Sequence, residues 1–374
     1  MTTTAGPDRH AALVRRVAVL GAGGGGRASA YMLAAHGLPV RLWDAPQFAA
    51  NLADLDGTLR QDADPPGEVT LDRITTDLAS AIDGADLIVS CVQRGAHRII
   101  GEQLAGCMAD EQRLLLNPGS LGGALEIAAI FRAHGRALPR LAETATLAHC
   151  ARPVPGGVRT TLAVKHVFCS ALPATNTAAM LAALSPYYPH LVPAQSVLET
   201  GLYNGNPVLH PAIALLNAGA LERNDGTFRF YGDGMTPAVA RLIEAVDAER
   251  QALAHAYGLQ LIPEPTLSVM QGYADHHGYL RCYRDSDIFA PLVAPNTLDH
   301  RYFHEDVGEG LITWLALADV AGVRLPLVEA LVTVAETITG QDYRSGQAER
   351  LARLGLDGMG REEVLGYVLS GARS

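Results

Sequence analysis

Two features of the chain have the residue types and spacing to do chemistry: a glycine-rich turn near its start and an uncharged segment around His210. The turn, Gly21-Ala22-Gly23-Gly24-Gly25-Gly26, has G-x-G-x-x-G spacing through Gly21, Gly23 and Gly26. It follows the apolar run 17–20 and precedes the helix-forming stretch 27–36. In that setting the first glycine permits a tight turn and the second lets backbone amides approach a pyrophosphate. The third lets the helix pack closely on the strand. Gly21, Gly23, Gly24 and Gly26 are the expected dinucleotide contacts; a glycine-rich loop without a ligand is the alternative. Asp44 ends the next apolar run, 40–43, where a carboxylate accepts from both ribose hydroxyls. It would repel a 2′-phosphate, and no Lys or Arg follows in Ala45-Pro46-Gln47-Phe48. NAD is therefore expected, with NADP as the alternative. Without a ligand, Asp44 would simply cap the turn before Pro46.

Nicotinamide chemistry also needs a proton donor or acceptor that titrates near neutrality, and histidine is the usual one. Of thirteen histidines, His276-His277 reads as a polar loop and His255 as a solvated helix position. His300 and His304 do not make H-E-x-x-H, so no metalloprotease site is expected, nor any other metal. His210 differs, lying in Asn206-Pro207-Val208-Leu209-His210-Pro211. Pro211 is a natural first helical residue, which places His210 near the N-cap of a buried helix, where the local field disfavours imidazolium. From the residues alone, a hydrogen-bonded core histidine explains it equally well. The five cysteines are scattered without a Cys-x-x-Cys pair, as a reducing compartment permits, and the expected location is cytoplasmic.

These residues need elements to position them. Runs 17–20, 40–43, 69–74, 86–92 and 113–116 read as strands, the last closed by Asn117-Pro118-Gly119. Helical stretches 27–36, 77–82 and 98–108 alternate with them. That alternation predicts an α/β fold, a doubly wound parallel sheet of Rossmann type. Segments 144–148 and 158–164 read as a hairpin closing the sheet's far edge. From about residue 196 helical periodicity takes over, in 211–221, 237–257, 310–321 and 327–339. A chain of 374 residues suggests two domains. The expected division is a nucleotide domain over 1–190 and a mainly α-helical second domain over 191–374. With 29 basic against 39 acidic residues the net charge is −10, which disfavours nucleic acid and anionic membrane surfaces as partners. Stretches 166–198 and 201–221 carry no charge but are broken by prolines, so they read as protein interior rather than membrane spans. Residues 1–10 have no apolar core and are not expected to be a secretory signal.

The glycine turn, Asn117-Pro118-Gly119, Glu143-Thr144-Ala145-Thr146-Leu147, the Asn206-to-Pro211 segment and Arg301-Tyr302-Phe303-His304-Glu305-Asp306-Val307-Gly308-Glu309-Gly310-Leu311, in this order, resemble the opine dehydrogenase family. That family includes octopine and nopaline dehydrogenases. Thr339-Gly340-Gln341-Asp342-Tyr343 and Leu354-Gly355-Leu356-Asp357-Gly358 are similar to its ending, so the resemblance spans nearly the whole chain. It implies a reductive condensation: an amino-acid amine and a 2-oxo acid form an imine, which NADH reduces. By this resemblance His210 is the acid/base group, Asp306 orients its ring and Arg301 holds a substrate carboxylate. His97, Thr144 and Asn206 are further substrate-side groups. The chain departs from the family where Gln93-Arg94 replaces a proline-led step, where His149-Cys150-Ala151-Arg152 replaces aromatic-Ala-Cys-Arg, and at Gly308 in place of proline. Arg94 suggests an additional anionic group on the substrate. Two other readings fit the same plan: a 2-hydroxy acid or ketopantoate-type reductase, disfavoured because no lysine follows Lys165, and a non-catalytic dinucleotide sensor. The apolar helical half also leaves room for a homodimer.

Overall fold

A computed structural model of the chain describes residues 14–63 and 66–373. The opening stretch, where no secretory signal is expected, lies outside the described residues. Strands β1 (Val17–Leu20), β2 (Val40–Trp43), β3 (Thr58–Gln61), β4 (Gly67–Thr70), β5 (Arg73–Thr75) and β6 (Leu87–Ser90) are followed by β7 (Arg113–Leu116), β8 (Arg140–Thr144), β9 (His149–Val154), β10 (Gly157–Ala163), β11 (Val167–Leu172) and β12 (Leu191–Pro193). Eight of them form one sheet in the order β12-β11-β8-β7-β6-β1-β2-β5, parallel throughout except where β11 runs antiparallel to β8. The central strands β1, β2, β6 and β7 are buried at every residue, as a sheet covered on both faces requires. Helices α1 (Gly24–Ala35), α2 (Leu78–Ile82), α3 (His97–Cys107), α4 (Gly123–Ala133) and α5 (Thr177–Leu184) supply the cover. Along β1, Ala18 and Leu20 join the core under α3 and α4, while Val17 and Val19 join the core under α1 and α5.

Two expectations about the sheet need correction. The run 69–74 is not one strand: β4 and β5 are separated by Leu71-Asp72 and belong to different sheets. Leu71 is buried, and Asp72 takes the guanidinium of Arg41 at 2.9 Å, so a single apolar run turns a corner and serves both sheets. The expected first arm of the hairpin, 144–148, is the end of β8 and an irregular segment; the hairpin is made by β9 and β10, and it does not close the far edge either. It joins β3 and β4 in a four-stranded sheet of order β4-β3-β10-β9 that packs on α1. Arg27 secures this arrangement: its guanidinium donates to Val154 O and Gly157 O of the hairpin and to Asn51 O and the Asp54 carboxylate in the segment leading into β3. The far edge is built instead by β11 and β12, from the charge-free stretch read as interior.

Beyond β12 the described chain is helical: α6 (Val197–Leu202), α7 (Asn206–Leu216), α8 (Ala218–Leu221), α9 (Pro237–Ala256), α10 (Glu264–Gln271), α11 (Tyr279–Arg284), α12 (Arg301–His304), a π-helical turn (Asp306–Leu311), α13 (Ile312–Ala321), α14 (Pro326–Thr339), α15 (Gln347–Arg353) and α16 (Arg361–Ser370). The apolar core under α3 and α4 continues through Leu121, Val197 and Leu202 into this half without a break. Around His210 the helix boundary differs from expectation. α7 starts at Asn206, with Pro207 in its first turn and Pro211 inside it. His210 therefore sits a full turn into the helix, not at its N-cap, and Pro211 leaves only the carbonyl four residues back without its usual donor.

Candidate active site

The segment Asn206 to Pro211 is uncharged because it runs between packed elements, and burial sets the character of its one titratable group. His210 is 3% exposed. Its Nδ1 lies 2.6 Å from Asp306 Oδ2, and its Nε2 lies 2.9 Å from the Tyr231 hydroxyl. The close pairing across 96 residues is set by a glycine. A Cβ at Gly310 would stand 2.7 Å from Pro207 Cγ, so its absence lets the π turn approach α7 one turn before His210. The Tyr302 ring lies 4.1 Å from the imidazole centroid and Phe230 meets it edge-on at 5.8 Å, fixing the ring plane. Burial pushes the Asp306 carboxyl up to about 7, against the pull of Arg301. Burial also holds the imidazole well below its ordinary range, and the Arg301 charge adds to that. The pair is therefore poised to exchange one proton near neutrality, with burial rather than a helix terminus as the cause.

These groups open onto a cavity of about 290 Å³ between the two halves of the chain. From the sheet side it is lined by Cys91, Val92 and Gln93 after β6 and by Pro118 after β7. These are the carboxyl ends of parallel strands, where open α/β sheets take their ligands. From the helical side it is lined by His210, Tyr231, Arg301, Tyr302, Glu305 and Asn206. Arg301 is the exposed cation here, its guanidinium 5.6 Å from the Tyr302 ring and 3.9 Å from Glu305. Burial raises Glu305 to about 7.

The structure brings His210, Asp306, Arg301 and Asn206 together, but not the other expected substrate groups. Thr144 is buried at the end of β8, its hydroxyl donating to Thr146 O at 2.8 Å and lying 3.2 Å from Asn117 Oδ1. Thr146 reaches the cavity in its place. His97 is 1% exposed at the start of α3, facing Gly123 and Leu116, and burial drives its pKa down to about 3. Arg94 does not face the substrate at all. It is 1% exposed, pairs with Glu126 on α4 and lies 3.6 Å from Glu309 in the π turn. Arg353 of α15 adds a 2.8 Å contact to Glu126, and Arg350 bonds Glu309 and Gly308 O. Arg94 and Gly308, both departures from the family pattern, thus belong to one ion network that ties the Asp306 turn to the nucleotide half.

The glycine turn fits a dinucleotide. Gly21 has φ +95°, and a Cβ at Gly26 would stand 1.6 Å from Gly21 O, so both positions demand glycine. Gly23 caps α1 and has open space where a side chain would stand, and no side chain caps the first-turn amides, the arrangement an anionic pyrophosphate needs. Gly24 has a second constraint: β9 crosses it so closely that a Cβ would lie 2.2 Å from Ala151 O. Asp44 is at the end of β2 as expected. Its carboxylate already accepts from Ala22 N at 3.0 Å, Asn51 Nδ2 at 2.9 Å and Ala45 N at 2.9 Å. A carboxylate offers about four lone-pair sites, so one is left for a ribose hydroxyl, and recognition by both oxygens is not available in this arrangement. Among the described residues no cluster of three or more His, Cys, Asp or Glu could hold a metal, and no helix is long and apolar enough to cross a membrane.

Reasoning from sequence missed Tyr231, Glu305 and Tyr302. Tyr302 and Glu305 flank Asp306 within its own motif, which was the available signal. Tyr231 lies in an aperiodic connection between α8 and α9, 21 residues from His210, and nothing in its spacing links the two.

Sheet, glycine turn and a buried His–Asp pair beside the cavity define the class: a nicotinamide-dinucleotide oxidoreductase with its site between a nucleotide-binding sheet and a helical half. Residues 193–339 match the family model for the alpha-helical domain of NAD/NADP octopine/nopaline dehydrogenase. Residues 16–117 match that for the N-terminus of NAD-dependent glycerol-3-phosphate dehydrogenase. The opine dehydrogenase of Arthrobacter sp. (strain 1C) is 33% identical over 350 residues, covering 91% of this chain and 95% of that protein. The chain belongs to the opine dehydrogenase family. In fold it is similar to octopine dehydrogenase solved with NADH and L-arginine (TM-score 0.75, 21% identity, 96% of this chain and 98% of that one). A ketopantoate reductase from Ralstonia eutropha JMP134 agrees less well (TM-score 0.59, 18% identity, 89% of this chain and 99% of that one).

Proposed function

We propose that the chain condenses an amino-acid amine with a 2-oxo acid and reduces the resulting imine, using NADH. The observation that carries this reading is the buried His210–Asp306 pair at 2.6 Å, open to a cavity at the carboxyl ends of the strands. Such a pair supplies and accepts the protons that amine addition and loss of water require. Asp306 accepts from Nδ1–H, which fixes the tautomer and leaves Nε2 as the exchanging nitrogen. Arg301, the exposed cation at the cavity, binds a substrate carboxylate in a charge-assisted fork, and Asn206 offers a neutral amide to the same cavity. Gly21, Gly23, Gly24 and Gly26 hold the pyrophosphate on the α1 amides, and Asp44 takes one ribose hydroxyl through Oδ1. The negative charge of Asp44 favours NAD over NADP. Bound there, the dinucleotide supplies the hydride. Residues 1–190 and 191–374 serve as nucleotide and substrate domains, and five unpaired cysteines suit a cytoplasmic enzyme.

The test is NADH oxidation against a matrix of 2-oxo acids, each with and without a panel of amino acids, repeated with NADPH. Oxidation that needs both partners is expected. Oxidation with an oxo acid alone would mean a 2-hydroxy acid dehydrogenase, and binding without turnover a dinucleotide sensor.

A further inference from the structure

We propose that Tyr231 is a catalytic residue: its hydroxyl, not the imidazole, is the group that exchanges protons with the substrates, relaying them to and from His210. This rests on the reductive condensation proposed above.

Both nitrogens of His210 are already occupied, Nδ1 by Asp306 at 2.6 Å and Nε2 by Tyr231 Oη at 2.9 Å. With Nδ1–H donating to the carboxylate, Nε2 is an acceptor and the tyrosine hydroxyl donates to it. A hydroxyl has one proton and two lone pairs, so while donating to Nε2 it still accepts from a group in the cavity that Tyr231 lines. The hydroxyl is held in place by its ring. Phe230 meets that ring edge-on at 5.1 Å, Phe289 lies at 5.0 Å and Tyr283 stacks at 6.2 Å. Tyr231 is 3% exposed, and swinging it off Nε2 would break this cluster and leave a buried nitrogen without a partner. Burial holds the phenol well above its ordinary range, so it passes protons as a neutral hydroxyl and does not store charge. The charged and titratable groups facing it are Arg301 and Tyr302 of α12, Asp306 of the π turn and Glu264 of α10, besides His210 of α7.

The proton count closes. The substrate ammonium gives a proton to Tyr231 as Tyr231 gives its own to Nε2. The freed amine attacks the oxo carbon, a C–N bond forms, and the carbonyl π pair moves to oxygen, which takes the proton back by the same route. The resulting nitrogen cation surrenders a second proton to the relay, and that proton leaves with the hydroxyl as water while the nitrogen lone pair makes the C=N bond. Hydride from bound NADH then adds to that carbon, oxidising NADH to NAD, and one proton from solvent leaves the product as a secondary ammonium. Two protons are in flight at each relay step.

The experiment compares Tyr231→Phe with the wild type in the amine-dependent assay, measuring kcat, KM, NADH affinity by fluorescence, and rate against the D₂O fraction. The relay predicts unchanged NADH affinity, a kcat lower by about a hundredfold or more, and a bowed D₂O dependence in the wild type that becomes linear in the variant. A kcat within threefold of wild type, or the same bowed dependence in both, overturns it. If Tyr231→Phe no longer binds NADH, 3,5-difluorotyrosine placed at position 231 keeps the shape while acidifying the phenol. A displaced limb of the kcat pH profile then supports the relay, and an unmoved profile overturns it. If the wild type oxidises NADH with an oxo acid alone, the condensation reading fails but the comparison still decides the relay, because the alkoxide left by hydride addition also needs a proton.

Discussion

At the scale of single residues, desolvation is the dominant force in the site. It raises Asp306 to about 7 and depresses His210, so the pair loses its exchangeable proton as pH rises through neutrality. The relay begins by accepting the ammonium's proton and so needs the pair in that deprotonated form: the condensation rate should rise up to about pH 7 and level off above it, and a pH profile of the amine-dependent rate checks the sign. Asp306→Asn keeps the shape but cannot hold Nδ1–H as a donor to a carboxylate, and should lower kcat by about a hundred- to ten-thousandfold with NADH affinity retained. Arg301→Gln should raise the KM for the acid substrates by about tenfold or more while leaving NADH affinity alone. Arg301→Lys should recover only part of it, because an ammonium lacks the planar fork. Part of this was legible in the sequence. An uncharged stretch around one histidine marks burial, and the Asp306 motif names its partner. Tyr231 was not legible, because contacts made by an aperiodic connection depend on how the helices pack and leave no period behind. Arg94 was misread for a related reason: a cation beside a site has the same letter whether it faces substrate or, as here, Glu126 and Glu309.

At the scale of elements, strand periodicity carried the central sheet, and it failed where one apolar run serves two sheets. Residues 69–74 have the composition of a single strand, and only the Arg41–Asp72 contact and buried Leu71 show the corner between β4 and β5. Of the hairpin only the second arm was placed: 158–164 overlaps β10, whereas 144–148 ends β8 and the true first arm is β9. The hairpin's docking on α1 depends on Arg27 reaching carbonyls far along the chain, which no local pattern contains. This docking makes the glycine turn more than a phosphate loop. Gly24→Ala would put a methyl 2.2 Å from Ala151 O, a backbone atom that cannot rotate away. It should displace the small sheet from α1, weaken NADH binding by about tenfold and lower the unfolding temperature, read together by fluorescence titration and a thermal melt. Ala at Gly23, where a Cβ meets nothing within 4 Å, should cost far less stability.

At the scale of the whole molecule, the core and the Arg94–Glu126–Glu309 network join the two halves, so the site is as stable as the fold that closes around it. The molecule also buries several acids at a cost. Burial raises Glu143 to about 7, Glu264 to about 8 and Asp306 to about 7, from ordinary values of 4.5 and 3.8. Between those limits these acids hold more protons folded than unfolded, so their contribution falls as pH rises; buried imidazoles such as His97 and His210, held below their ordinary value of 6.5, act in the opposite sense but only below about that pH. Acids whose pKa is lowered by partners, such as Asp54 with Arg27, lose their contribution only at the acid end. The unfolding temperature should accordingly be higher near pH 7 than at pH 8.5, an interval in which the raised acids titrate and the buried imidazoles do not. Delivery of hydride to a carbon bonded to nitrogen is read out by mass spectrometry of the product formed from an amino acid, a 2-oxo acid and NADH deuterated at the transferring position. One deuterium is expected on the new C–H of a secondary amine dicarboxylate. Deuterium found instead in a 2-hydroxy acid, with the amino acid unchanged, would contradict that delivery.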